Sequence, residues 1–311
     1  MEEKIVYYLN EIKKLENGEF VPPVTCEIDP SNACPLDCNF CMFEKYRKES
    51  NIHMSMENYL RLVYDLNRIG TKSITFTGGG EPIANPNFNK MVDIACDLGF
   101  EVGLVTNGVL LDKVNRPSRF KFIRVSLDAS DAETYKLVKG ADYFDKVIHN
   151  ITEALKQNPT VGISYVVGPD NDKNLKIAQT MAHDLGVAYI QFKPAYINGD
   201  IYNFRMPNQT DETIKTKRYK LREKLPCLIA HLVGVVTADG SVYYCCQHRG
   251  KMNFYLGSIA QEQFSEIWKR RLGHKNFDTR QCPMCRYGNY SKYLKELLQQ
   301  GDLFFEHKNF L

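Results

Sequence analysis

A chain of 311 residues, 43% hydrophobic and 25% charged, has the composition of an ordinary globular protein and is long enough to bury a large core without disulfides. Forty basic residues against 37 acidic leave a formal charge of +3, a bias too small to announce a nucleic-acid or membrane partner. No apolar run approaches a bilayer span and the start is charged and amphipathic, so the expectation is a cytoplasmic protein whose ten cysteines serve as metal ligands rather than disulfides.

Residues 1–23 read as an N-terminal helical extension. From 24 to 225, apolar runs rich in β-branched residues alternate with helix-period stretches. The spacing predicts strands over 24–29, 73–77, 101–106, 122–127, 161–167 and 188–193. Helices are predicted over 55–69, 87–98, 143–157 and 171–185, with Ser55 as a cap and glycines as stops. Such alternation builds successive βα units around a parallel sheet. Six strands are too few for a closed eight-stranded barrel, so the expected fold is α/β, an open, TIM-barrel-like partial (βα)6 barrel with its chemistry at the C-terminal strand ends. After residue 193 the sequence turns polar, then helix-like toward 225, and its basic run at 215–224 reads as a solvated face. A boundary at Pro226 sets off residues 226–311 as a small α+β unit. It comprises a hairpin turning at Asp239-Gly240, an amphipathic helix over 261–271, C-P-M-C at 282–285 and a C-terminal helix.

Cys34, Cys38 and Cys41 form C-x3-C-x2-C in the loop after the first strand. Three thiolates do not complete a tetrahedral zinc site, but they can hold three irons of a cubane 4Fe–4S cluster and leave the fourth open. Spacing alone leaves a zinc site finished from elsewhere, or a redox pair, as alternatives. The second strand ends in TGGGEP, where glycines allow backbone to approach a ligand closely and Glu81 offers an anionic acceptor for an amine. In the last third, Cys227, Cys245, Cys282 and Cys285 make a four-ligand set that suits zinc as readily as an iron–sulfur cluster. Cys246 competes with Cys245, and alternation along a strand would turn one of the two away. Cys26 and Cys96 lie in apolar surroundings and read as small buried hydrophobes.

With the three-cysteine loop followed by GGGEP, residues 24–193 resemble the radical S-adenosylmethionine (SAM) enzymes. The resemblance implies that Cys34, Cys38 and Cys41 ligate a 4Fe–4S cluster whose free iron chelates SAM. Gly78, Gly79, Gly80 and Glu81 would then bind the methionine amine and Phe40 would contact the adenine. Ser126 and Asp128, in VSLDA, would reach the ribose or the methionine carboxylate, and the fifth strand would line the adenine. Asn107 would face the SAM or substrate cavity, or else serve only as a turn residue before Gly108. The C-terminal segment resembles a twitch domain, the shorter relative of SPASM. Cys227, Cys245, Cys282 and Cys285 would hold an auxiliary 4Fe–4S cluster there, with Cys246 structural.

By the same resemblance, SAM is cleaved reductively to a 5′-deoxyadenosyl radical that takes hydrogen from a substrate C–H bond. A four-thiolate auxiliary cluster implies an electron acceptor, hence a radical SAM oxidoreductase that dehydrogenates a small polar substrate such as a sugar, cyclitol or nucleoside. An external one-electron donor, flavodoxin or ferredoxin, is implied as partner. Lys193 is a candidate for a carboxylate or phosphate, and Tyr196, Tyr202, Arg205 and His248 for the cavity wall. Two alternatives are a peptide-modifying maturase (cross-linking or epimerising) and a non-catalytic zinc- or cluster-binding nucleic-acid module. The first twenty-odd residues are too few for a leader-gripping domain, and a binding module has no reason to contain GGGEP.

Overall fold

The computed structural model of the chain describes residues 5, 7–49, 51–204, 227–274, 279–282, 285 and 290–294. Its strands are β1 (Thr25–Ile28), β2 (Ser73–Phe76), β3 (Glu101–Thr106), β4 (Phe122–Ser126), β5 (Val161–Val167), β6 (Tyr189–Pro194), β7 (Tyr196–Ile197), β8 (Asp200–Ile201), β9 (Val233–Val236), β10 (Ser241–Tyr243) and β11 (Tyr255–Ser258). The helices are α1 (Leu9–Glu16), α2 (Glu44–Glu49), α3 (Met56–Ile69), α4 (Phe88–Asp97), α5 (Ala132–Lys139), α6 (Phe144–Leu155), α7 (Leu175–Asp184) and α8 (Phe264–Lys269).

Strands β1 to β6 pair parallel in sequence order, the open α/β half-barrel that βα alternation builds. Their interiors are apolar, and Ile28, Phe76, Leu104, Val125, Ile163 and Val167 are fully buried, as strands covered on both faces require. The register sets Ile28 opposite Phe76, Phe76 opposite Leu104 and Ser126 opposite Ser164. The C-terminal strand ends therefore share one rim.

The chain's last third joins the same sheet. Strand β9 pairs parallel with β1, with Cys26 opposite Gly234, and β10 and β11 follow antiparallel, giving among the described residues the order β11-β10-β9-β1-β2-β3-β4-β5-β6. A Cβ on Gly234 would lie 3.0 Å from the Cys26 sulfur, so glycine suits the close contact of β9 with β1. Cys26 is fully buried in the main core and Cys96 packs against it, as small hydrophobes do.

Within the described residues, the expected strands and helices are present within a few residues. Helix α7 begins at Leu175, not 171, because Asp172–Asn174 form a 3-10 turn. Helix α5, unforeseen, opens on Asp131, which accepts the Thr134 backbone N–H at 2.8 Å, and closes on Gly140 at φ 69°, the usual pair of helix stops. The expected helix toward residue 225, the basic run at 215–224, Arg205 and the boundary at Pro226 lie outside the described residues. So does much of the expected C-terminal helix, of which 290–294 are helical. Among the described residues no helix is long and apolar enough to cross a membrane.

Candidate functional site

A cavity of about 190 Å³ opens at the rim, lined by the Cys34–Cys41 loop, by Gly78, Gly79, Gly80 and Glu81 after β2, and by Asn107 and Ser126 at the ends of β3 and β4. The two loops form one hydrogen-bonded unit. Gly80 N–H donates to the Ser31 carbonyl at 3.1 Å and Glu81 N–H to the Ala33 carbonyl at 2.7 Å. A Cβ on Gly80 would sit 2.4 Å from the Asn32 backbone, so only glycine allows this approach. From the other side, Asp37 and Asn39 N–H groups donate to the Lys139 and Val138 carbonyls. The C-terminus of α5 thus seats the cysteine loop.

Glu81 is buried. Its carboxylate accepts Thr106 Oγ1–H at 2.7 Å and the backbone N–H groups of Asn107 at 2.8 Å and Ile83 at 3.3 Å. Burial pushes its pKa up to about 7, against the pull of these hydrogen bonds. The carboxylate therefore ties the β2 and β3 ends together. Asn107 Nδ2 lies 3.6 Å from the Cys34 sulfur and its side-chain oxygen accepts the Val109 N–H at 2.9 Å, so it faces the cysteine loop while closing its own turn.

Asp128 does not line the cavity. It is fully buried behind the rim at φ 60°, an unfavourable conformation for a non-glycine residue. Several partners hold it there: Lys139 Nζ, Ser126 Oγ–H at 2.7 Å and Val166 N–H at 2.6 Å. Lys139, buried and paired to Asp128, does reach the cavity, with its ammonium 5.7 Å from the Phe40 ring centroid, within cation–π range.

Burial raises the Cys34 thiol pKa and pushes Cys38 up to about 11, with the Lys139 charge opposing the rise at Cys38 and Arg47 opposing it at Cys34. Arg47, also on the cavity wall, lies in the field of Cys34 and Cys41 and pairs with Asp37 at 3.0 Å. Three thiols flanked by two cations are the donor set an anionic cluster needs, since thiolates are the ligating form. A loop of close-packed backbone beside them leaves room for a polar ligand. The residues present therefore fit a three-thiolate cluster with SAM beside it. Sequence reading missed Lys139 and Arg47, which resemble solvated charges; the signal for Lys139 was the capped α5 pattern ending in Lys139-Gly140.

The second cysteine group gathers beneath the hairpin. Cys285 is the strongest charge acting on Cys227, and Cys227, Cys285 and Cys246 act on Cys282; burial is the main cause in pushing Cys227 up to about 11 and Cys282 to about 12. Cys227 and Cys245 both act on Arg271. Strand β10 ends at Tyr243, so strand alternation does not separate Cys245 from Cys246, and their sulfurs lie 3.9 Å apart. Cys246 is buried in a 3-10 turn, with its carbonyl bonded by Arg249 at 2.8 Å. His248 stacks on Phe254 with ring centroids 3.6 Å apart, and its Nε2 is 3.6 Å from the Cys282 sulfur. Cys227, Cys282 and Cys285 therefore share one neighbourhood, which Cys246 reaches at Cys282 and Cys245 reaches through Arg271 and Tyr244, and these thiols fit a cluster whose fourth ligand is Cys245 or Cys246. Among the described residues no group of three His, Cys, Asp or Glu side chains is placed to hold a single metal ion.

Arg249 joins the two centres. It is buried, 2.8 Å from Asp29 and 3.0 Å from Glu27 at the end of β1, and Asp29 in turn accepts the Gly79 N–H at 3.2 Å. Of the cavity candidates after β5, Lys193 is buried and donates to Ser164 Oγ at 2.9 Å, and Tyr202 donates to Asp172 at 2.6 Å. Tyr196 lies in β7. None of the three lines the cavity.

Comparison with known proteins accords with this arrangement. The family model of the Radical SAM superfamily matches residues 28–181, and that of the SPASM iron-sulfur cluster-binding domain matches 227–287. GTP 3′,8-cyclase of Clostridium perfringens is 32% identical over 163 residues, and the chain spans about half of that relative, 47% of each being covered. A probable GTP 3′,8-cyclase of Saccharolobus solfataricus is 26% identical over 233 residues, 69% of this chain and 74% of the relative. Among solved structures, Streptococcus suis SuiB bound to S-adenosylmethionine superposes with a TM-score of 0.61 at 14% identity, over 86% of this chain and 68% of that one. SuiB bound to precursor peptide SuiA also aligns at 0.61, with 15% identity over 86% of this chain and 69% of that one.

Proposed function

Because this chain belongs to the radical SAM superfamily and carries a SPASM iron–sulfur cluster-binding domain, we propose that it dehydrogenates a small polar substrate in two one-electron stages. Residues 24–225 would house the reaction and 226–311 the auxiliary cluster. When bound, the reduced cluster and SAM supply the means of taking a hydrogen atom from an unactivated C–H bond. Cys34, Cys38 and Cys41 hold that cluster. The backbone from Gly78 to Glu81 orients the methionine amine, and the Glu81 carboxylate acts by fixing this loop. Phe40 offers an apolar face to the adenine, Ser126 a hydroxyl to the ribose or carboxylate, and Asn107 an amide close to Cys34. Asp128 acts through Lys139, which with Arg47 offsets thiolate charge.

The observation that supports the oxidative reading is that Cys227, Cys282 and Cys285 lie close enough to act on one another, with Cys245 joined to Cys227 through Arg271 and Tyr244. Four thiolates close every iron of a cubane and leave it to accept an electron instead of binding substrate. With both groups bound, the oxidation would balance as one hydrogen atom to the adenosyl carbon, one electron to the auxiliary cluster and one proton to solvent. Within the class of small polar substrates, a nucleoside or nucleotide is supported by the relatives named GTP 3′,8-cyclase. Peptide modification, the second reading, draws on the likeness to SuiB bound to a peptide, which at that identity speaks for the fold alone.

The test is anaerobic turnover of the reconstituted protein with SAM, a flavodoxin or ferredoxin donor and panels of nucleosides, nucleotides, sugars and cyclitols. The expected product is lighter than its substrate by two hydrogens and forms in step with 5′-deoxyadenosine. A product isomeric with the substrate would overturn the oxidation.

A further inference from the structure

Arg271 is among the largest fully buried side chains of the described residues, 1% exposed, in the 3-10 turn after α8. Its guanidinium carbon lies 4.1 Å from the Trp268 ring centroid and 4.6 Å from that of Tyr244. Nη1 donates to the Val233 carbonyl at 3.2 Å. Nε and Nη2 are buried with no hydrogen-bond partner among the described residues. The charges acting most strongly on it are those of Tyr244, Cys227 and Cys245, with no carboxylate among them. Tyr244 also hydrogen-bonds the Cys227 thiol.

Arginine keeps its charge in proteins. A buried guanidinium with two donor nitrogens unmet is strongly unfavourable unless an anion stands beside it. The aromatic contacts account for its faces, and the Val233 carbonyl and a hydrogen bond to Tyr244 for part of its donor edge, which leaves Nε and Nη2 to be explained. We propose that Arg271 is the counter-charge and hydrogen-bond donor of the auxiliary cluster, its Nε–H and Nη2–H satisfied by thiolate or sulfide sulfur at the Cys227 and Cys245 side. This rests on the reading of the four C-terminal cysteines as cluster ligands. Added positive charge and N–H···S bonds favour the more negative, reduced cluster and so raise its potential. Arg271 is thus a positioning and tuning residue that makes the auxiliary cluster a better electron acceptor.

The test uses the full-length chain with Cys34, Cys38 and Cys41 changed to alanine, so that one cluster is read. Redox titration followed by electron paramagnetic resonance should show Arg271→Met lowering the midpoint potential by a tenfold or larger shift of the reduction equilibrium, about 59 mV for one electron. Arg271→Lys, which keeps the charge and loses the fork, should fall between. In the reduced protein labelled with ¹⁵N-arginine, a guanidinium nitrogen should couple to the cluster spin, and Arg271→Lys should abolish the coupling. The labelling readout stands even if Arg271→Met fails to assemble. An unchanged potential at full iron content, or no arginine coupling, would overturn the proposal. Absence of iron and sulfide from this variant would overturn the cluster reading as well, and metal content tells the two failures apart.

Discussion

Gly80 and Glu81 show how little freedom the rim allows a single side chain. The 2.4 Å gap between a Gly80 Cβ and the Asn32 backbone has a rigid neighbour on each side, so Gly80→Ala must displace one loop from the other. The expected loss is about 1–3 kcal/mol of stability, read from the denaturant midpoint, together with loss of SAM cleavage. Glu81 lends itself to a pH experiment on cluster-free protein. Its folded pKa, about 7, lies above the ordinary carboxylate value, so the folded state holds a proton that the unfolded state has released. Stability should therefore be highest below the ordinary carboxylate pKa, fall by about 3 kcal/mol as pH rises to 7, and level off above it. Glu81→Gln should flatten that part of the profile in pH-dependent denaturation.

Between elements, Arg249 and α5 carry the rim. Removing Arg249 leaves Glu27 and Asp29 buried together at the end of β1, and breaking a buried pair from one side costs about 3–5 kcal/mol. Arg249→Ala should lose about that much in chemical denaturation and, through Asp29 and Gly79, also weaken SAM binding. Neither element was announced by its charges. Periodicity disclosed the strands because β-branched runs and glycine stops are local signals, and the two cysteine groups with GGGEP were legible as motifs for the same reason. The partners of Lys139, Arg47, Arg249 and Arg271 lie far along the chain or in separate elements, so in sequence each reads as an ordinary surface cation. Likewise Asp128 sits in a motif that suggests ligand contact, whereas its geometry depends on Val166 N–H and Lys139, contacts that only the fold creates.

At the scale of the whole fold, the nine-stranded order among the described residues joins the two cysteine sites through one sheet. The parallel pairing of β9 with β1 was not legible, since a hairpin's own sequence fixes its turn but not which distant edge it joins. A chain cut to residues 1–225 would leave β1 as an open edge, an invitation to aggregate, and in size-exclusion chromatography should shift to the void volume relative to the full chain. The central claim is that two separate cubane clusters are held, one by Cys34, Cys38 and Cys41 and one by Cys227, Cys245, Cys282 and Cys285. Iron and sulfide content after anaerobic reconstitution tests it most directly. About eight irons per chain, falling to about four when Cys34, Cys38 and Cys41 are changed to alanine, is the expected result. About four in the unaltered chain and none in the variant would contradict it, leaving the C-terminal cysteines without a cluster and the oxidative reading without its acceptor.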